Sequence, residues 1–334
     1  MVGMRLACLS PMARDYLETR IPDEYGVEVA VLDDRTAATA ERLVADADLV
    51  LGDHSHEIAI DGDLVAAMGR AQLLHQPSTG YDGIDLDACT AHGIPVTNAR
   101  GTSAVAMAEY CVLSAMALLR STVWRHGEVA AGRWPQHEMR AHSLSELKGL
   151  TVGLVGLGDA GEAAARRFAP FECTVLYTAR WRRPREVEAE LGVVWRPDLE
   201  ALLVEADVVC LLVDLNPGTR HLIDARALEL MKATALLVNP ARGAIVDERA
   251  LTAALYDGAI GGAALDVFEH EPPPPDSELL DRHDVLLSPH VGGATREARR
   301  GNMRRMFEVI GSVARGEMPN GAVNGITRLR TPEP

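Results

Sequence analysis

Arg242, Glu271 and His290 could together serve a carbonyl, and each follows a short apolar run: "ALLVNPA", "AALDVFEH" and "DVLLSP". If those runs are parallel strands of one sheet, the three side chains fall at its carboxyl edge, where open α/β sheets bind ligands. A carbonyl that accepts a hydride needs a proton on its oxygen, and an imidazole supplies one near neutral pH. A carboxylate beside the imidazole holds the ring and favours its protonated form. An arginine binds a carboxylate and polarises the adjacent keto oxygen. Together they suit a 2-oxo acid, although a His, Glu or Arg taken singly is more often structural. Of eleven histidines, His290 alone follows a strong strand end and precedes paired glycines, "PHVGG", which would let a ligand come close.

A hydride needs a carrier, and "TVGLVGLGDAG" offers it a cradle. Gly156, Gly158 and Gly161 have G-x-G-x-x-G spacing between an apolar run and a helical one, "EAAARRFAP". The first glycine permits a tight turn, the second lets backbone approach a pyrophosphate, and the third allows close packing of helix on strand. The start of the helix, with Asp159 and Ala160 in its first turn, presents free N–H groups to phosphate. Asp159 would repel phosphate if it pointed inward, so it is expected to point outward.

The next strand, "CTVLYT", ends at Ala179, where a carboxylate commonly holds the ribose hydroxyls and so selects NAD. Arg180, Arg182, Arg183 and Arg185 gather there instead. Arg180, assisted by Arg182 or Arg183, would bind the 2′-phosphate of NADP, with NAD still possible. The other reading is an exposed loop whose arginines pair with Glu186, Glu188 and Glu190 on the following helix.

Elements that could position these residues recur along the chain. "RLACLS", "VEVAVL", "ADLVLG" and "QLLHQ" occupy the first hundred residues; "TVGLVG", "CTVLYT", "ADVVCLLV", "ALLVN", "AALDVF" and "DVLLS" come after them. Strands alternating with helices imply parallel sheets covered on both faces, hence two Rossmann-like, doubly wound α/β domains. The first domain is expected to be discontinuous, from residues 1–100 and 297–334, because the closing helical stretch adds no strong strand and should pack back onto it. The cofactor domain is expected over 101–296, with a helix and arm at 103–148 lying on a partner subunit. "SAVAMAEYCVLSAMALL" is apolar nearly all the way round, so it reads as a buried helix needing cover on several sides, which hints at a homodimer.

With 48 acids against 33 bases the net charge is −15, which argues against nucleic-acid or anionic-membrane surfaces. Any anion must meet a local cationic site. Five scattered cysteines without a C-x-x-C pair suggest neither a disulfide framework nor zinc, and fit a reducing cytoplasm. His54 and His56 in "GDHSHE" follow a first-domain run; no carboxylate and cysteine set accompanies them, so no metal is expected. His54 could instead line a substrate cleft.

The chain resembles the D-isomer-specific 2-hydroxyacid dehydrogenases along nearly its whole length. The resemblance rests on "STGYDGIDLDACTAHGIPVTNARGT", "GLTVGLVGLGDAG", "DLNPGTRHLI", "LLVNPARGAIVDE", "AALDVFEHEP" and "LSPHVGG". It implies that Arg242 binds substrate, that Glu271 partners the histidine and that His290 is the acid/base. It implies that Ser78, Thr79 and Gly80 grip the substrate carboxylate, with Asp266 on the nicotinamide carboxamide. Val213, Thr219, Pro240, Ala241 and Gly292 complete the implied cofactor set beside Arg242 and His290. A homodimer formed largely through the cofactor domain, and a cleft that closes on substrate, are implied as well. Asp214 stands where proline is usual, and Pro240 where a small hydroxyl residue is common. The arginine loop also resembles that of formate dehydrogenases, but those carry Gln where Glu271 stands, so a proton-transferring reaction is favoured. NADP-using glyoxylate and hydroxypyruvate reductases are the nearer analogy. A formate- or phosphite-type dehydrogenase, or a dinucleotide-sensing co-repressor, are the competing readings.

Overall fold

A computed structural model describes residues 3–55, 57–137 and 144–331; His56 and part of the expected arm lie outside them. The chain divides into two compact units, Met1–Thr102 with Arg296–Pro334, and Ser103–Thr295.

In the first unit β1 (Met4–Cys8), β2 (Val27–Val31), β3 (Leu49–Leu51), β4 (Leu73–Gln76) and β5 (Val96–Asn98) form a parallel sheet in the order β2-β1-β3-β4-β5. The helix Arg296–Ala314 covers one face, packing Met306, Val309, Ile310 and Val313 with Leu6, Leu49 and other strand residues. Beyond it the chain makes one antiparallel bridge, Ala322 to Thr97, and the Asn324 amide ties to the Val96 N–H and the Ile94 carbonyl.

The second unit contains β6 (Thr151–Val155), β7 (Thr174–Thr178), β8 (Val193–Trp195), β9 (Val208–Leu211), β10 (Leu236–Asn239), β11 (Gly262–Leu265) and β12 (Val285–Leu287). Their order is β12-β11-β10-β9-β6-β7-β8, all parallel, with the order reversing between β6 and β9. Along β9, Val208 and Cys210 enter one core while Val209 and Leu211 enter the other. That two-residue alternation within a continuous apolar run marks a strand buried on both faces. The expected pair of parallel α/β sheets is what the chain forms. Two strands were not expected from sequence, β5 and β8. Each has only three residues, and β8 lies at the sheet edge with Val194 47% exposed, so neither carries a long apolar run.

The helix Ala104–Leu119 packs on the helix Asp159–Phe168 through Ala108, Cys111 and Ala115, among others. Its burial is one-sided rather than complete: Val105, Leu113 and Met116 are 51%, 64% and 41% exposed. Among the described residues no single helix is long and apolar enough to cross a membrane; this helix and Thr122–Ala130 pass such a test only as a bent pair.

Candidate active site

The chain turns sharply after β6. Gly156 has φ +102°, and a Cβ there would collide with the Leu212 carbonyl after β9 and press on Val213. A Cβ on Gly161 would collide with the Gly156 carbonyl, so these two glycines bring turn and helix together. Gly158 differs. A Cβ there would meet nothing within reach, and Gly158 is the N-cap of the helix Asp159–Phe168, whose end no side chain caps among the described residues. Open space in front of uncapped N–H groups fits a dinucleotide pyrophosphate.

His290 follows β12 with φ +54°, a left-handed conformation that costs a residue with a Cβ about 1–3 kcal/mol. Asp266, after β11, holds it there. Its backbone carbonyl accepts from the His290 N–H at 2.7 Å; its carboxylate accepts from Ser288 Oγ at 2.6 Å and from the N–H groups of Val291 and Gly292 at 2.9 and 2.7 Å. Asp266 is only 1% exposed, and Tyr110 on the helix Ala104–Leu119 hydrogen-bonds Ser288 at 2.8 Å. The paired glycines also serve this packing: a Cβ on Gly292 would press on Asp266 and Tyr110, and one on Gly293 would touch Ser103 and Met107.

The half-exposed His290 ring donates through Nδ1 to Glu271 Oε2 at 2.7 Å, and Nε2 has no partner among the described residues. Glu271 Oε1 accepts from the Phe268 N–H at 3.1 Å. Burial raises the Glu271 pKa, but the His290 and Phe268 hydrogen bonds and the His290 and Arg242 charges outweigh it and leave the carboxyl below its usual range. Arg242 stands after β10 in extended backbone, with Nη1 donating to the Ala241 carbonyl at 2.7 Å. The buried Asn239 braces that turn, accepting from the Ala241 N–H and donating to the Arg242 carbonyl. A Cβ on the neighbouring Gly243 would overlap the Phe268 backbone, so the Arg242 turn lies directly on the loop that carries Glu271. The structure thus brings Arg242, Glu271 and His290 to one place.

The arginine loop after β7 is divided in its loyalties. Arg182 binds Glu188 through two nitrogens, each at 2.8 Å, and lies over Trp195; Arg183 pairs with Glu162. These ion pairs engage two guanidiniums that sequence had offered to a phosphate. Arg180 is exposed and has no ion pair among the described residues.

Residues 112–292 match the family described as D-isomer specific 2-hydroxyacid dehydrogenase, NAD binding domain. A glyoxylate reductase of Thermococcus litoralis is 39% identical over 269 residues, spanning 79% of this chain and 80% of that protein. The chain belongs to the D-isomer-specific 2-hydroxyacid dehydrogenase family. As such it is an NAD(P)-dependent oxidoreductase of 2-hydroxy acids, with a nicotinamide dinucleotide as cofactor. A Pyrococcus horikoshii structure is similar with TM-score 0.85 and 30% identity, covering 98% of this chain and 96% of that one. So is an NADPH-dependent glyoxylate/hydroxypyruvate reductase from Sinorhizobium meliloti, in complex with NADP and malonate, with TM-score 0.82, 27% identity and 98% of each chain covered.

The dehydrogenase resemblance also singled out positions outside the reacting trio. Thr219 Oγ1 donates to the Asp214 carbonyl at 2.7 Å and so closes its own loop. Pro240 and Ala241 are buried between Asn239 and Arg242. In the first unit Ser78 Oγ donates to the Gly80 carbonyl and accepts from Gln76 Nε2, while Asn98 Nδ2 donates to the Thr79 carbonyl at 2.6 Å. His54 comes after β3, its N–H donating to Ser10 Oγ at 3.1 Å in a turn organised by the buried Asp53. Sequence reasoning missed Asn239, Ser288 and Tyr110. Asn239 and Ser288 stand within three residues of Arg242 and His290, a signal that was available; Tyr110 is remote in sequence and gave none.

Proposed function

We propose that this dehydrogenase works as a reductase of small 2-oxo acids, glyoxylate and hydroxypyruvate foremost, and prefers NADPH to NADH. The observation that carries the reading is the His290–Glu271 pair, which leaves Nε2 as the ring's remaining nitrogen. A bound nicotinamide dinucleotide supplies the hydride. His290 gives the substrate oxygen its proton from Nε2, and Glu271 stabilises the charged ring before transfer and orients it throughout. Arg242 binds the substrate carboxylate and polarises the keto oxygen. Thr79 and Gly80, with Ser78 and His54, are assigned to substrate, and Asp266 to the carboxamide through the acceptor capacity its Oδ2 retains. The open face of Gly158, with Asp159, Ala160 and Gly161, takes the pyrophosphate; Val213, Thr219, Pro240, Ala241 and Gly292 border the cofactor.

The segment after β7 supports the preference for NADPH. Ala179 places no carboxylate there, and the nearby acids Glu188 and Glu162 are already paired with Arg182 and Arg183. Arg180 is the chief 2′-phosphate ligand, and Arg182 and Arg183 shape its setting. The exposed apolar residues Val105, Leu113 and Met116 support a homodimer built on the helix Ala104–Leu119, which sedimentation would measure. The five cysteines, all free, suit a reducing cytoplasm.

Initial rates with glyoxylate, hydroxypyruvate, pyruvate and branched or aromatic 2-oxo acids, each with NADH and NADPH, test the reading. The two smallest acids with NADPH are expected to be fastest. Absence of turnover with every 2-oxo acid would overturn it.

A further inference from the structure

The loop 268–271 carries a second histidine–carboxylate pair. His221 Nε2 donates to Glu269 Oε1 at 2.5 Å, two residues before the carboxylate that holds His290. His221, like His290, has left-handed backbone, with φ +49°. Its N–H donates to the Ala244 carbonyl at 2.8 Å, and Ile223 bridges Val246, so the His221 segment runs beside the residues that follow Arg242. Glu269 is also held by its own N–H, which donates to Glu248 Oε1 at 2.5 Å. Three segments therefore meet at Glu269: that of His221, the Arg242 turn with Glu248 beyond it, and the loop bearing Glu271.

The charges explain why a cation-capable ring is needed. Glu248, Glu269 and Glu271 crowd together, and His221, His270, His290 and Arg242 face them with opposite charge. The crowding is felt at Glu248, whose pKa is raised first by burial and further by the Glu269 and Glu271 charges, against the Glu269 N–H and His270. Without the His221 ring, Glu269 would repel both neighbours on the loop that sets the angle of Glu271.

We propose that His221 is a positioning residue: by gripping Glu269 it holds loop 268–271 in the register that seats Glu271 on His290. Its kinetic consequence rests on the reductase reading; its electrostatic consequence does not. The test therefore reads the titration of the Glu271 carboxyl by ¹³C NMR in protein without substrate, the resonance assigned by its loss in Glu271→Gln. In His221→Gly, which also relieves the left-handed backbone, Glu271 is expected to titrate about half a pH unit or more higher, roughly a threefold change in its protonation equilibrium. In Glu269→Gln, which removes a like charge but keeps an acceptor for His221, it is expected to move lower. The opposed shifts read the charge linkage through Glu269, and the rate of His221→Gly reads the positioning. The kcat of His221→Gly should fall roughly tenfold, as for a misaligned rather than missing acid. An unmoved Glu271 in either variant, or the same direction in both, overturns the proposal. Should His221→Gly not fold, Glu269→Gln decides alone. Wild-type protein that reduces no 2-oxo acid, yet shows opposed shifts, would refute the reductase reading and leave the linkage standing.

Discussion

Two loops at the carboxyl edge of one sheet solve opposite problems. The His290 turn comes after β12 at one edge of the sheet; the arginine loop comes after β7, beside β8 at the other. At the first, a buried carboxylate takes three hydrogen bonds and a backbone carbonyl a fourth to hold one histidine in left-handed backbone. At the second, Trp181 is 78% exposed, Arg180 is exposed, and the organised contacts are ion pairs with charged side chains. Proton transfer depends on the angle of a single N–H, so the turn that aims it must be rigid. Recognition of a phosphate depends on charge and donor number, and tolerates a side chain that orders when the ligand arrives.

The sharpest way to break that contrast is at the rigid end. His290→Gln keeps a polar side chain on the same turn but carries no titratable proton, and reduction should fall about 10²- to 10⁴-fold. Initial rates under saturating NADPH would measure it; a loss below tenfold would mean that the clamp serves something other than acid catalysis. The wild-type profile should carry a second signature. Because the Glu271 carboxyl sits below its usual range, its hold on His290 is complete above the ordinary carboxylate pKa and is lost as pH falls through the lowered one. Reduction should therefore show an acid-side decline below the usual carboxylate range, missing in Glu271→Gln.

At the exposed end the expected effect is smaller and falls on choice of cofactor. Arg180→Ala removes a charge-assisted contact worth about 1.5–3 kcal/mol, so the NADPH-to-NADH ratio of kcat/KM should fall roughly ten- to a hundredfold. An unchanged ratio would remove Arg180 from the site and leave the loop as a solvated surface.

The same contrast governs what could be read without coordinates. Gly156, Gly158 and Gly161 were legible because their spacing follows from local chain geometry, and Arg242, Glu271 and His290 because each stands just past an apolar strand. What lay hidden depended on distant pairing. The partner of Arg183 is Glu162, 21 residues away on the helix of the glycine turn, whereas sequence had offered only acids on the following helix; for Arg182 that offer was right, with Glu188. The paired glycines were read as room for a ligand; that they also make room for Asp266, Tyr110 and the helix Ala104–Leu119 was not visible. His221 gave no signal, since neither its left-handed backbone nor its reach to Glu269 is written in neighbouring residues.

The smallest effect discriminates best between the two uses of an arginine in that loop. Arg182 is bound to Glu188, whose carboxyl is held down to about 2 by the Arg182 hydrogen bonds and the Tyr177 hydroxyl. If that pairing is its task, Arg182→Ala should change the NADPH-to-NADH ratio by less than about threefold, since the guanidinium was not available to the phosphate. Its cost should appear in acid instead. A carboxylate with a lowered folded-state pKa adds stability above its ordinary value of 4.5, and that stability drains away as pH falls towards about 2. Unfolding midpoints taken between those limits should thus fall less steeply with acid in Arg182→Ala than in wild type, and run parallel above them. Tyr177 still donates to Glu188 in the variant, so part of the slope should survive. Parallel lines throughout, together with a large loss of NADPH preference, would instead make Arg182 a phosphate ligand that leaves Glu188 when the cofactor binds.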